Sequence, residues 1–245
     1  MATFRLLARI LFMPSLLLAC SVLPACGGGG GGDVGQEASV PIPREVGAVF
    51  IDPADGRMVL ISKTGTRFVH FDVAQGTFTA PRPIAELLPG MTSPLVGGMT
   101  HDATTGLYEF GDLVGAARQL YDPATDTAGN LETWEDLGAG PSYVPGTSAL
   151  FSLGSQLFMF SPGGSEYTAY DRSSQTWSPT FSFTGDFGGG GAPIPSVGAA
   201  AAGDRGRGIY LFDLSGTRWT IYSNGGNFSP AFTLDELGDG TLTFE

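Results

Sequence analysis

The chain has 245 residues and a formal net charge of −12. This acidic balance argues against a nucleic-acid partner and against a basic face that docks on membranes. Both cysteines, Cys20 and Cys26, lie near the N-terminus, so the chain beyond them has no disulfide bond and must be held together by packing.

The first 26 residues have the pattern of an export signal. Arg5 and Arg9 precede an apolar stretch that is too short and too interrupted to span a bilayer. The phrase "LPAC", Leu23–Cys26, resembles the bacterial lipoprotein signal, in which a small residue precedes an acylated cysteine. The resemblance implies lipidation at Cys26. Cys20, in "LLAC", is the alternative site, and an ordinary cleaved signal peptide is the alternative interpretation.

Residues 27–44 are predicted to be a flexible tether, because they begin with the six glycines Gly27–Gly32. We therefore expect a lipid-anchored protein of the bacterial cell envelope, at the outer membrane or the cell surface. The two arginines are the only charged residues before Cys26, so the charge from Cys26 onward is −14.

The rest of the chain repeats with a period close to 50 residues. Small residues recur at corresponding positions, and the next position is also small in every unit: Gly47, Gly97, Ser148 and Gly198, then Ala48, Gly98, Ala149 and Ala199. Alternating apolar pairs and an aromatic residue followed by aspartate keep the same spacing. A period of this length indicates a repeat architecture.

Each unit alternates apolar runs with turn-forming residues, which is typical of antiparallel strands. The first unit predicts strands over 45–51, 57–63, 66–73 and 77–80, and then a short helical turn at Ile84–Gly90. Four such units predict an all-β, four-bladed β-propeller. The blades are expected at about 45–95, 96–146, 147–196 and 197–245. The inner strands would crowd the axis, so the recurring residues there must be small.

Three segments match the third strand of the hemopexin-like repeat: Gly65–Asp72, Gly164–Asp171 and Gly216–Ser223. "PRPIAELLPGM", Pro81–Met91, is similar to the segment that closes a blade of that family. The chain from Glu45 to about Gly240 thus resembles a hemopexin-like domain, with short helical turns between blades. A kelch-type propeller is the alternative, favoured mainly by the third unit.

The sequence departs from the hemopexin-like pattern in two places. The aspartate that opens each blade of the family is replaced by glycine or serine in all four units. The family's disulfide between the last and first blades cannot form here. Ring closure is therefore expected from strand pairing and blade packing, with help from the tail Thr241–Glu245.

The resemblance also implies an ion in the axial tunnel. Calcium or sodium, with chloride as a companion anion, would be held by main-chain groups, since converging carbonyls suit a hard cation. The corresponding positions are Gly47, Gly97, Ser148 and Gly198, each as a backbone carbonyl ligand. A water-filled tunnel is the alternative.

No side-chain pattern predicts catalysis. His70 and His101, the two histidines, are interpreted as structural or surface residues, and haem binding is not expected. The aspartates in phrases such as "DPADG", Asp52–Gly56, are interpreted as Asx-stabilised turns. The sequence thus predicts a non-catalytic binding module with a protein or glycan partner. A propeller hydrolase or lyase with a site assembled across blades is the alternative.

Overall fold

The fold is seen in a computed structural model, which describes residues 45–91, 97–112, 117–138, 146–203 and 208–237. Strands arranged in four antiparallel sheets make up most of the described regular structure. The prediction of an all-β, four-bladed propeller is confirmed.

The first two sheets follow one another along the chain. In each sheet the first four strands pair in sequence order, and in blade 1 a fifth strand pairs with the third. Blade 1 contains β1 (Val46–Ile51), β2 (Met58–Ser62), β3 (Arg67–Asp72), β4 (Thr77–Phe78) and β5 (Arg82–Pro83). Blade 2 contains β6 (Gly98–Asp102), β7 (Leu107–Gly111), β8 (Ala117–Asp122) and β9 (Thr127–Thr133).

The other two sheets repeat this arrangement. Blade 3 contains β10 (Ala149–Leu153), β11 (Gln156–Phe160), β12 (Glu166–Asp171), β13 (Thr176–Trp177) and β14 (Phe181–Ser182). Blade 4 contains β15 (Ala199–Ala202), β16 (Ile209–Phe212), β17 (Arg218–Tyr222) and β18 (Phe232–Thr233).

Short helical turns follow the outer strands, as predicted. They lie at Ile84–Glu86, Trp134–Leu137, Phe183–Asp186 with Phe187–Gly189, and Leu234–Glu236. The second and the last begin with a capping box, in which Thr133 and Asp136, or Thr233 and Glu236, satisfy each other's backbone N–H groups. The helical segment predicted at Ile84–Gly90 is shorter than expected, since it ends at Glu86.

The recurring small residues of the inner strands have two different causes. A Cβ on Gly98 would lie 2.7 Å from the backbone nitrogen of Leu150 in the next blade. Close approach between inner strands therefore requires glycine at this position, as expected. A Cβ on Gly47 would instead lie 2.6 Å from Lys63 Cα in the same blade. Gly47 is also at a register shift between β1 and β2, so close approach within the blade selects glycine there.

Three of the four seams between blades are apolar. Blade 4 packs on blade 1 through residues such as Val46 and Trp219, blade 1 on blade 2 through Phe50 and Tyr108, and blade 3 on blade 4 through a cluster that includes Phe160. These clusters hold most of the buried hydrophobic side chains, so packing between sheets forms the core.

The seam between blades 2 and 3 is different, because charges accompany a smaller apolar cluster. Glu109, on β7, is 2% exposed and accepts hydrogen bonds from Arg118 Nη1 at 2.5 Å and from Arg172 Nη2 at 2.7 Å. Arg172 follows β12 in blade 3, and its Nε lies 3.4 Å from Asp102 Oδ2 in blade 2. An ion-pair network therefore joins these two blades.

The first and last blades close the ring without a disulfide. The backbone N–H of Val46, the first residue of β1, donates to the carbonyl of Gly216, in the β16–β17 turn of blade 4, at 3.0 Å. The N–H of Val197 likewise donates to the carbonyl of Gly164 at 2.9 Å, from blade 4 to blade 3. Apolar packing thus joins the ends, as predicted, together with a backbone hydrogen bond to a turn. Among the described residues no strand of blade 4 pairs with blade 1, so the predicted strand pairing is not seen there; the tail Thr241–Glu245 lies outside the described residues.

Candidate functional site: the axial cavity and its rim

A cavity of about 700 Å³ opens where the four inner strands end. Each inner strand contributes to its wall through a residue at or near its last position. These residues are Ile51, His101, Ser152 and Ala202. Because the four inner strands surround the axis of the ring, the cavity lies on that axis. Its volume is within the range of small-molecule and recognition clefts.

Blade 1 supplies most of the charged rim of this cavity. Its β1–β2 turn, Asp52–Arg57, lies against the cavity along its whole length, and Asp72 joins it from the end of β3. Arg57 Nε donates to Asp55 Oδ2 at 2.6 Å, which neutralises that carboxylate locally. The rim is therefore acidic, because its three aspartates, Asp52, Asp55 and Asp72, outnumber its one arginine.

One histidine of the chain lies close to Asp52, and the other lies in the cavity wall. His70 is buried on β3, and its Nε2 lies 3.6 Å from Asp52 Oδ2, within ion-pair range but too far for a hydrogen bond. Nearness to the His70 imidazole is the main reason why the pKa of Asp52 is lowered, and burial opposes that effect. Burial lowers the pKa of His101, while the charges of Asp102 and Asp52 oppose the shift.

The sequence did not reveal the approach of His70 to Asp52. The two residues are 18 positions apart and come together only when β1, β2 and β3 form one sheet. The structural role predicted for His70 agrees with its burial. His101 instead lies in the cavity wall, half-buried; the one available signal was its position at the end of an inner strand.

The aspartates at the ends of strands cap turns, as the sequence predicted. In five turns an aspartate Oδ1 accepts a hydrogen bond from the backbone N–H two residues later, which is the Asx-turn geometry. The five aspartates are Asp52, Asp72, Asp102, Asp122 and Asp171. Backbone donors are the main reason why the pKa of Asp122 is lowered. These carboxylates therefore already have partners.

Solved structures with the same ring were found in comparisons with known proteins. "Crystal structure of hemopexin fold protein CP4 from cow pea" has a TM-score of 0.62 at 14% identity, covering 80% of this chain and 96% of that one. A seed protein from Dolichos titled 2S albumin has a TM-score of 0.61 at 14% identity, covering 80% and 97%. The fold is hemopexin-like.

A third similar structure is a plant albumin from Cicer arietinum, described as showing hemagglutination. It has a TM-score of 0.57 to the hemopexin-like propeller at 14% identity, and the match covers 80% of this chain and 96% of that one. No model of a protein family matches the sequence, and no curated protein matches it. The likeness at this identity shows the fold alone.

The positions predicted to hold an axial ion lie at the other ends of the inner strands from the cavity. Gly47 and Gly198 both approach the second strand of their own blade, where a Cβ would come within 2.7 Å of backbone atoms. Ser148 fits the same position because its hydroxyl lies 2.8 Å from the Ser161 carbonyl and 2.6 Å from the Val197 carbonyl.

The predicted lipidation site, Cys26, lies outside the described residues, as does the alternative Cys20. Among the residues that the structure describes, no helix has the length and apolar character needed to cross a membrane. Within the same ranges, no three His, Cys, Asp or Glu side chains come together in a way that would hold a metal ion.

Proposed function

We propose that the hemopexin-like propeller is a lipid-anchored, extracytoplasmic binding module that engages a protein or glycan partner at the face where the axial cavity opens. The cavity of about 700 Å³ carries this proposal, since all four blades contribute to it. Clefts of such volume are the usual places for recognition, and this one combines apolar residues such as Phe50 and Ile51 with polar groups such as Asp52 and His101.

The state of the rim carboxylates supports binding over catalysis. Asp52 and Asp72 accept backbone hydrogen bonds within their own turns, and Asp55 is paired with Arg57. A general acid or base must come within hydrogen-bond distance of the substrate proton. These carboxylates instead form hydrogen bonds and an ion pair within the turns of the rim.

Partner capture with a blocked cavity tests the proposal. Protein beginning at Asp33 would be used against envelope extract and a panel of glycans, in parallel with Ala202→Trp, which places a large ring in the cavity wall. Thr64→Trp, on the exposed β2–β3 turn at the opposite end of blade 1 from the cavity, is the matched control. Loss of capture with the first substitution alone supports the proposal, and equal capture by both refutes this location.

Membrane attachment is tested separately by Cys26→Ser. We expect the protein to move from the membrane fraction to the soluble fraction, because a lipid chain contributes about 0.8 kcal/mol per buried CH₂. Cys20→Ser is the comparison that decides between the two cysteines. Unchanged partitioning of both variants would reject the anchor.

An axial ion, calcium or sodium with or without chloride, would act on stability. Main-chain carbonyls of Gly47, Gly97, Ser148 and Gly198 are its proposed ligands, with no role in catalysis. Thermal unfolding in calcium, in sodium and after chelation tests this, since a ligand that binds the folded state alone raises the unfolding temperature. Identical curves in all three would remove the ion from the proposal.

The alternative is a propeller enzyme, a hydrolase or lyase with a site built across blades. The approach of His70 to Asp52 at the cavity rim, with His101 in the wall of the same cavity, is the observation that favours it. Turnover of ester or glycoside substrates that is lost in His101→Ala would support this alternative, and no turnover by the intact protein would reject it.

A further inference from the structure

The outer strand of blade 2 differs from those of the other three blades. In blades 1 and 3 the outer edge is split into pairs of two-residue strands, and in blade 4 it is reduced to one such strand and an isolated bridge. A proline interrupts each of these edges: Pro81, Pro179 and Pro230. In blade 2, β9 is a single strand of seven residues, although its pairing with β8 shifts register by one residue between Ala128 and Leu131.

Strand register shows which residue of β9 replaces the proline. The pair Phe71 and Phe78 in blade 1 corresponds to Tyr121 and Ala128 in blade 2, and Tyr170 and Trp177 in blade 3. Counting onward from these pairs places Asn130 at the position of Pro179 and, in blade 4, of Pro230. Gly129 accordingly takes the place of Ser178 and Ser229.

In blades 3 and 4, the serines at this position bind the backbone of the neighbouring strand through their side chains. Ser178 Oγ accepts from the N–H of Ala169 at 2.9 Å, and Ser229 Oγ accepts from the N–H of Ile221 at 3.0 Å. The proline that follows has no N–H to offer a neighbouring strand, a common protection of exposed edges. Blade 2 has neither the serine nor the proline.

The edge of β9 is also exposed, and it carries one large apolar side chain. Leu131 is 63% exposed, the highest value for a large hydrophobic side chain among the described residues. The one charged side chain of the strand, Glu132, is already paired with Arg118 at 2.6 Å. A long strand edge with an exposed leucine and no unpaired charge is a template for another strand.

Acidic residues at the two ends of β9 indicate the charge of the segment that would pair with it. Asp122 and Asp126 lie at the beginning of the strand, and Glu135 and Asp136 follow its end. A second copy pairing antiparallel about a twofold axis would bring these acidic ends together, which is unfavourable. We propose that β9 binds, by strand addition, an extended segment of another protein that carries lysine or arginine at both ends.

This surface is distinct from the axial cavity, because it lies on the outer edge of one blade. The proposal therefore goes beyond the cavity-based function, and either can fail alone.

Binding of a synthetic peptide to the full-length chain tests the proposal. The probe is a short peptide of alternating valine and threonine with lysines at both ends, labelled for fluorescence anisotropy, and the same peptide with glutamates at both ends is its counterpart. We expect the lysine peptide to bind, the affinity to fall as salt is raised, and the glutamate peptide to bind at least about tenfold more weakly.

The decisive variant installs the serine and proline of blades 3 and 4 as Gly129→Ser with Asn130→Pro. It should weaken peptide binding by about tenfold or more, since it removes an edge donor. Ala80→Pro, at the corresponding position of blade 1 where Pro81 already interrupts the edge, is the matched control and should bind the peptide as the parent does. Far-ultraviolet circular dichroism checks that each variant is folded.

A second pair of variants keeps the test decisive if the proline variant does not fold. Leu131→Lys should weaken lysine-peptide binding, whereas Leu153→Lys, at another exposed leucine, should not. Equal binding of both peptides, unchanged binding to the blade 2 variants, absence of any binding, or concentration-dependent dimers in sedimentation would each overturn the proposal.

Discussion

Single small residues hold the neighbouring blades of this ring in contact. Ser148 occupies a position that is glycine in the other three units, and its hydroxyl lies within hydrogen-bond distance of carbonyls in blade 3 and at the start of blade 4. The residue is 2% exposed, so these carbonyls have little access to water as a substitute.

We expect Ser148→Ala to lower the free energy of unfolding by about 1–3 kcal/mol, because it leaves a buried carbonyl without its donor. Urea unfolding measures this. Ser174→Ala removes a hydroxyl from an exposed turn and should change the free energy by less than about 0.5 kcal/mol. Equal effects of the two substitutions would argue against the bridging role of Ser148.

His101 should make stability depend on pH in a definite direction. Burial lowers its pKa in the folded state, so the unfolded chain takes up the proton first as the pH falls below about 6.5. Stability should therefore decrease between about pH 7 and pH 5, and His101→Asn should reduce that slope. The carboxylates with lowered pKa values, such as Asp102, act in a lower window, below pH 3.8, where their stabilisation is lost on acidification.

At the scale of the elements, the seams are not equivalent. Three are apolar, whereas blades 2 and 3 are joined by Glu109, Arg118, Arg172 and Asp102. Removing one member of a buried ion network leaves its partners without compensation, which costs more than removing an exposed pair.

Glu109→Ala is therefore expected to destabilise the protein by about 3 kcal/mol, since Arg118 and Arg172 both lose an acceptor. Chemical unfolding gives the value. Arg82→Ala, which breaks the exposed pair between Arg82 and Glu86, is expected to cost about 0.5 kcal/mol or less. A small loss in the first variant would mean that water replaces the lost carboxylate.

The strands of each sheet could be predicted from the sequence, but the contacts between the sheets could not. Period-two alternation and turn residues located the first three strands of blade 1 to within a residue at most ends, because they depend on neighbours within the blade. The fourth, predicted over 77–80, ends at Phe78, where the approach to Pro81 stops regular pairing. The cavity that Asp52 and His101 both line depends on the packing between blades, and no local pattern encodes it.

At the scale of the whole molecule, Gly216 is where the ring closes. It has a φ of +74°, and a Cβ there would overlap the carbonyl oxygen of Val46 in the first blade. Left-handed backbone and interblade contact therefore both require glycine at this position.

Substitution of two glycines with nearly the same φ distinguishes the cost of the left-handed backbone from the cost of the contact between blades. Gly56 has a φ of +71°, and a Cβ added there would meet no other atom within 4 Å, so Gly56→Ala should cost about 1 kcal/mol from the backbone alone. Gly216→Ala should cost about 3 kcal/mol, because overlap with Val46 is added. Thermal unfolding measures both, and equal losses would show that closure does not depend on this contact.

The bond between Val46 and Gly216 also sets a condition on the order of folding. β1, which is synthesised before the other described strands, forms a backbone hydrogen bond with a turn that is synthesised some 170 residues later. Contacts so distant in sequence slow folding and leave early blades with open flanks. A nascent or shortened chain that stops before blade 4 therefore cannot form the contact between blades 1 and 4. We expect the ring to close only after blade 4 has been synthesised.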